Sequence, residues 1–395
     1  MAAVDSGQTN EVIAILDGGG DPDARNKNGA TPLMFAARLK NTELSALLIK
    51  RGAKVNARDG RGFTPLHYSV DRGGHGGIAR MLLDSGADVN ARNSTGVSVL
   101  MTAVNSSADL SIVKELIERG AEIKLKGDDG ATALFHASAN GLGDVCKLLL
   151  EKGADPNAAR GDGVTVLMAA VGGTGNVDVI ELLIERGAKV NLSRPSGTTP
   201  LILAASPKVN PAVTKLLLAK GADVNARAAE GMTALMRAAY NGRQDLASML
   251  LDAGADIDAA HDKVGPALLF AVASKKIEPG QLAVAKFLLQ KGAKVNIKGV
   301  GSTTPVMAAT MAGNADLVKD LIDRGADVNA QNVDGFSPLI AAAASGRADI
   351  VKLLLEHGAD PKLKTTKGIG AMDAATHSNK WEVVNLLKEV AVKRN

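Results

Sequence analysis

In the stretch ADLVKDLIDRG (Ala315 to Gly325), the apolar residues Leu317, Val318, Leu321 and Ile322 fall at i, i+1, i+4 and i+5, with charges between them. That spacing puts four apolar side chains on one face of a short helix and leaves the rest in water. Gly325 then stands where a helix end needs a left-handed residue. The pattern returns along the chain. Gly-Ala followed by Asp, Lys or Glu begins at Gly52, Gly86, Gly120, Gly153, Gly187, Gly221, Gly254, Gly292, Gly325 and Gly358. Successive intervals are 34, 34, 33, 34, 34, 33, 38, 33 and 33 residues, so ten copies of one unit are written in series.

Each unit carries a second helical signal upstream of the stripe. In TPLH (Thr64 to His67), Thr64 suits an N-cap and Pro65 suits the first helical turn. The small pairs that follow, Ala36-Ala37 or Ala238-Ala239, allow close approach to neighbouring helices. After the Gly-Ala pair, the pattern xVNAxxxxG predicts a short extended stretch and a turn ending at the next Thr-Pro. One such unit cannot bury both of its apolar faces alone, whereas stacking on both neighbours does so. Helix packing distances of about 8–10 Å predict a curved array roughly 100 Å long.

A period near 33 with TPLH and LLLxxGADVNA resembles the ankyrin repeat over essentially the whole chain. The resemblance implies an all-α repeat solenoid of helix–turn–helix units with short β-hairpin fingers. As a single ankyrin-repeat domain spanning 1–395, it divides into a truncated N-terminal repeat (1–30), ten full repeats (31–369) and a C-terminal capping repeat (370–395). The opening AAVDSGQTNEVIAILDGGG aligns with AAASGRADIVKLLLEHGA (Ala342 to Ala359) and lacks the TPL of a first helix. The chain is therefore expected to begin inside a repeat. Trp381 and the polar tail read as a terminal cap. Thr31, Thr132 and Thr233 are spaced by 101 residues, as duplication of a three-repeat block would produce. The insertion SKKIEPGQ (Ser274 to Gln281) reads as a tolerated surface loop.

Composition fits an array of small helices: 46% hydrophobic, only 2% aromatic, with 43 Gly. A net charge of +4 from 46 basic and 42 acidic residues describes a mixed surface, far weaker than the basic footprint of a dedicated nucleic-acid binder. Cys146 is the sole cysteine, which excludes an internal disulfide, and its apolar context GDVCKLLL predicts a buried, inert thiol. No apolar run approaches the ~20 residues of a membrane span. The start MAAVDSGQTNEV has neither a basic n-region nor an apolar h-region, so no export signal is expected within these residues and the location is left open.

Chemistry is hard to find. The six histidines (His67, His75, His136, His261, His357 and His377) lie apart, and no zinc-protease, CxxC, phosphate-loop, nucleophile-elbow or EF-hand pattern occurs. GGHGG (Gly73 to Gly77) joins two helices and reads as a lengthened turn. His67 holds the TPLH position, where the resemblance implies a bond to neighbouring backbone. Met34, Met101, Met168, Met236 and Met307 replace that histidine elsewhere and read as core. No catalytic, cofactor or metal residue is assigned, and no cofactor is expected.

The resemblance implies recognition on a concave face formed by fingers and first helices. Phe35, Arg38, Arg61, Phe63, Tyr68, Arg72, Met232, Arg237, Tyr240, Phe270 and Phe336 are the candidate protein-binding residues there. Six of the nine aromatics fall in this set, and aromatic rings with arginines are what interfaces concentrate. Arg25, Arg58, Arg92, Lys126, Arg227, Lys298 and Lys364 form a basic ladder at one finger position, diluted by nearby Asp residues, and read as a solvated face. The expected function is a non-catalytic scaffold, most simply a monomer, binding a protein partner and neither nucleic acid nor membrane. The alternative is a targeting or inhibitory module of a larger enzyme or secreted effector whose catalytic domain lies outside these residues.

Overall fold

The computed structural model describes residues 9–71, 76–106, 109–272, 274 and 276–393. Among them are twenty-three α-helices and two short 3-10 turns, and the only β pairing is four isolated bridges. The residues fall into two compact units, Met1–Pro195 and Ser196–Asn395.

Within each unit the helices come in pairs. A first helix such as Pro65–Val70 starts at a Thr or Ser with extended backbone whose side-chain oxygen accepts the amide three residues on: Ser98 from Met101, Thr132 from Phe135, Thr165 from Met168. A second helix such as Ala315–Asp323 buries Leu317, Val318, Leu321 and Ile322, the four residues of the stripe. It closes on Arg324, and Gly325 follows with φ +84°, the left-handed conformation expected of it.

The methionines at the histidine position are all buried, between 0 and 3% exposed. Two of them also do the work of the ring they replace. The Thr31 amide lies 3.4 Å from Met34 Sδ, and the Thr233 amide 3.4 Å from Met236 Sδ. At His67 the same amide, from Thr64, reaches ring Nδ1 at 3.2 Å.

The fingers are tight turns. Asp59 N donates to Phe63 O at 3.0 Å, and in four fingers the arms close as a single antiparallel bridge, among them Arg92 with Ser98. Three rows of hydrogen bonds run from finger to finger. Most finger tips donate a backbone amide to the preceding tip, as Gly60 to Asn28 O, Ser94 to Arg61 O and Asp128 to Thr95 O. The asparagine of VNA bridges forward: Asn90 donates to Gly120 O at 3.1 Å and accepts the Glu122 amide at 2.8 Å. Asn56, Asn157, Asn225, Asn296 and Asn329 repeat that pair of bonds. Each therefore ties a repeat to the start of the next Gly-Ala loop.

Arginines of the basic ladder make the third row while staying exposed, so the solvated face expected of them also ties finger to finger. Arg25 donates to Arg58 O at 2.8 Å, Arg58 to Arg92 O at 2.6 Å and Arg92 to Lys126 O at 2.9 Å. In the second unit Arg227 reaches Ala260 O at 2.6 Å, and Gln331 reaches Lys364 O at 3.0 Å. Where Pro195 has no amide to give to the preceding tip, Arg194 Nε lies 3.5 Å from the Asp162 carbonyl instead.

Candidate functional site: an arginine-rimmed hollow in the first unit

The first unit holds an open hollow of about 560 Å³ between successive fingers and first helices. Its floor is built by packing. Phe35 and Tyr68 sit four residues after the N-caps Thr31 and Thr64, one turn into adjacent first helices. Both rings rest on the buried cluster of Ala30, Met34 and Ala57 and remain half-exposed. Phe63, just before Thr64, lies 5.9 Å from the Tyr68 ring and edge-on to His67 at 5.4 Å.

Arginines form the rim. The Arg38 guanidinium stands 4.6 Å above the Phe35 ring, and that of Arg61 stands 5.0 Å above Phe63. Stacking of this kind contributes about 0.5–1 kcal/mol at exposed sites and holds the cation in place. Arg61 Nη2 also approaches the Tyr68 hydroxyl at 3.4 Å, a contact that raises its already high pKa.

Asp59 organises the arrangement from beneath and is only 9% exposed. Its Oδ1 accepts the amides of Arg61 and Phe63, each at 2.9 Å, and its Oδ2 accepts the Tyr68 hydroxyl at 2.7 Å. Burial and that bond to a carboxylate raise the Tyr68 pKa, so the phenol is neutral and donating. Sequence reasoning missed this role and counted Asp59 only as a diluting charge. The Asp-Gly pair ahead of a turn was the available signal.

The remaining expected site residues scatter. Arg72 lies outside the described residues, as do the first three residues of GGHGG. In the second unit Tyr240 is 59% and Phe336 39% exposed, while Met232 and Arg237 are half-buried. Two hollows of that unit, one lined by Leu289, Asn296 and Arg324 and one by His261, Lys298 and Val333, take in none of these four. Phe270 is a correction. It is 7% exposed and packs edge-on to the His261 ring at 5.4 Å, so it belongs to the core. His261 holds the finger position that Asn26 and Asn93 hold in other repeats, each closing a turn of the same length, and its imidazole covers the ring.

Titratable groups elsewhere are tied down. His67 is buried, its Nδ1 accepting the Thr64 amide and its Nε2 lying 3.3 Å from the Val97 carbonyl, the neighbour bond the resemblance implied. Burial outweighs that bond and pulls its pKa down to about 4. Cys146 is fully buried at 3.6 Å from the Ser138 hydroxyl, and burial pushes its thiol up to about 11. Among the described residues no group of three or more His, Cys, Asp and Glu is placed to hold a metal ion. No described helix is long and apolar enough to cross a membrane.

The family described as Ankyrin repeats (3 copies) matches residues 1–93, 100–194, 167–261, 268–365 and 306–393. The chain belongs to the ankyrin repeat family. An ankyrin repeat-containing protein of Schizosaccharomyces pombe is 39% identical over 64 residues, 16% of this chain and 31% of that protein. The chain thus spans under a third of the length of that curated relative. Ankyrin repeats generally serve as protein–protein interaction modules and are typically non-catalytic.

Proposed function

We propose that this ankyrin array is a non-catalytic scaffold that captures a protein partner on the concave face formed by its fingers and first helices. The hollow of the first unit is its energetic centre. The observation that carries this reading is the convergence there of Phe35 and Tyr68 with Arg38 and Arg61, from two successive repeats, with Phe63 packed behind Tyr68 and Arg61. Large rings partly open to solvent, with stacked arginines beside them, have the composition of an interface hot spot, where truncation costs about 2 kcal/mol or more. Within the second unit, Tyr240 and Phe336 are exposed aromatics of the kind such a face would use.

Affinity capture with crosslinking from the native cell tests it, using two paired variants. Phe63→Ala with Tyr68→Ala should keep the helical fold and weaken capture about tenfold or more. Lys319→Ala with Asp323→Ala, both exposed on a second helix, should leave capture unchanged. The concave-face reading fails if the second pair abolishes capture and the first does not.

A further inference from the structure

The ends of the second helices carry a ladder of ion pairs, and one rung of it is open beside a hollow. In each closed rung, the base just before the left-handed glycine reaches back to the preceding repeat. There it meets the acid two places before the matching glycine. Arg51 meets Asp17 at 2.6 Å, Arg119 meets Asp84 at 2.7 Å, Arg186 meets Glu151 at 3.7 Å and Lys291 meets Asp252 at 4.0 Å. Arg324 holds the same place before Gly325, but Gln290 stands where its acid would be. Arg324 is exposed, and among the described residues no carboxylate lies within ion-pair distance of its guanidinium.

We propose that Arg324 and the adjoining hollow of the second unit form a docking site for an Asp or Glu side chain of a protein partner, with an aliphatic residue beside it. The site is independent of the concave face.

The hollow supplies the apolar half. Its volume of about 700 Å³ lies within the ~300–1,000 Å³ of ligand-sized clefts. None of its lining residues comes from a first helix. Leu289 contributes from the second helix Pro279–Gln290, and Ala293, Val295 and Ile297 continue the wall along the loop that follows. Val295 and Ile297 are only half-buried, so apolar surface stays open near the cation. Asn296, which also lines the hollow, fixes the segment that carries Arg324. Its Nδ2 donates to Gly325 O at 2.9 Å, and its Oδ1 accepts the Asp327 amide at 2.8 Å.

Charge selects among anions. Lys294, the other cation lining the hollow, already faces Asp258 at 3.6 Å. Asp323 and Asp327 flank Arg324 in sequence without lining the hollow, and they limit the negative charge it can take. A carboxylate brings a single charge, which a guanidinium can meet with two parallel bonds. A phosphoserine brings about −1.5 to −2, and its second charge would have no cation to meet.

The open rung also provides its own competitor, because Gln290→Glu restores an internal acid opposite Arg324. The test titrates the full chain, labelled at Leu, Val, Ile and Met methyls, with three acetylated peptide amides followed by NMR: Leu-Glu-Leu, Leu-Gln-Leu and Leu-phosphoserine-Leu. The Glu peptide should shift the methyls of Leu289, Val295 and Ile297 and bind about fivefold more tightly than the Gln peptide. Arg324→Gln and Gln290→Glu should each remove that preference. Gln290→Ala should keep it, as should Arg186→Gln on a closed rung. Unshifted methyls elsewhere show that each variant is folded. Equal affinity for the Glu and Gln peptides, or a preference that survives Arg324→Gln or Gln290→Glu, overturns the proposal. So does tighter binding of the phosphoserine peptide, a response at Met34 in place of the three named methyls, or no methyl shift with any peptide.

Discussion

The Arg58 guanidinium donates to the backbone carbonyl of Arg92, thirty-four residues further on, at 2.6 Å. Arg92 passes the same bond to Lys126. A side chain at one finger position therefore serves as the tie to the next finger, and the repeat period sets its reach. Both arginines are part-exposed, so each bond is worth only about 0.5–1.5 kcal/mol net. The asparagine row differs, because each amide makes two bonds, so its removal gives up a backbone donor and an acceptor to water at once. Asn90→Ala should cost about 1–2 kcal/mol in urea unfolding, more than Arg58→Ala, and should speed hydrogen exchange at the Glu122 amide that it holds. Unchanged exchange at Glu122 would show that the row carries no stability.

The core of each repeat is a separate matter, since each helix pair leans only on its neighbours. Leu235, 1% exposed in the helix Ala234–Tyr240, should cost about 2–5 kcal/mol on truncation to Ala. The second unit should then unfold in more than one step, because the weakened repeat no longer couples those beside it. A single sharp transition in Leu235→Ala would count against the linear picture.

What the sequence made legible was whatever depends on one repeat read alone. The stripe of Leu317, Val318, Leu321 and Ile322, the N-cap at Thr64 and the left-handed Gly325 follow from local spacing and backbone preference. The Arg25–Arg58–Arg92 tie was not legible, because its acceptors are carbonyls of the next repeat and carbonyls leave no mark in a sequence. Nor did register alone place the aromatics. Phe35 and Phe270 hold corresponding positions in their first helices, yet one ring lies half-open beneath Arg38 and the other is sealed against His261. The two fingers are equally long, but Asn26 stands in the first where His261 stands in the second, and the imidazole covers its ring.

His67 gives the fold a pH dependence. It is neutral when folded, with its pKa lowered from 6.5 to about 4, chiefly by burial. Between those two values the unfolded chain binds the proton and the folded chain does not. The stability it contributes is thus complete above pH 6.5 and declines as pH falls toward 4, by at most about 3 kcal/mol. His136, also lowered by burial, acts in the same direction. Replacement of His67 by Met, the residue at this position in five other repeats, should flatten the fall in denaturant midpoint across that window. An equally steep fall in His67→Met would assign the dependence elsewhere.

Cys146 tests the same burial by reactivity. Its side chain is 0% exposed and its thiol is pushed up to about 11, so at pH 8 only about one molecule in a thousand carries the thiolate. Both factors act together, since a reagent must reach the sulfur as well as find it ionised. A disulfide reagent should therefore titrate no thiol in the native protein within minutes and one per chain in denaturant. Enlarging the neighbouring space with Leu149→Ala, itself 0% exposed on the same helix, should raise the native reaction rate by increasing local opening rather than acidity. Rapid labelling of the unaltered native chain would place the cysteine at the surface and overturn the packing of the helix Gly143–Glu151.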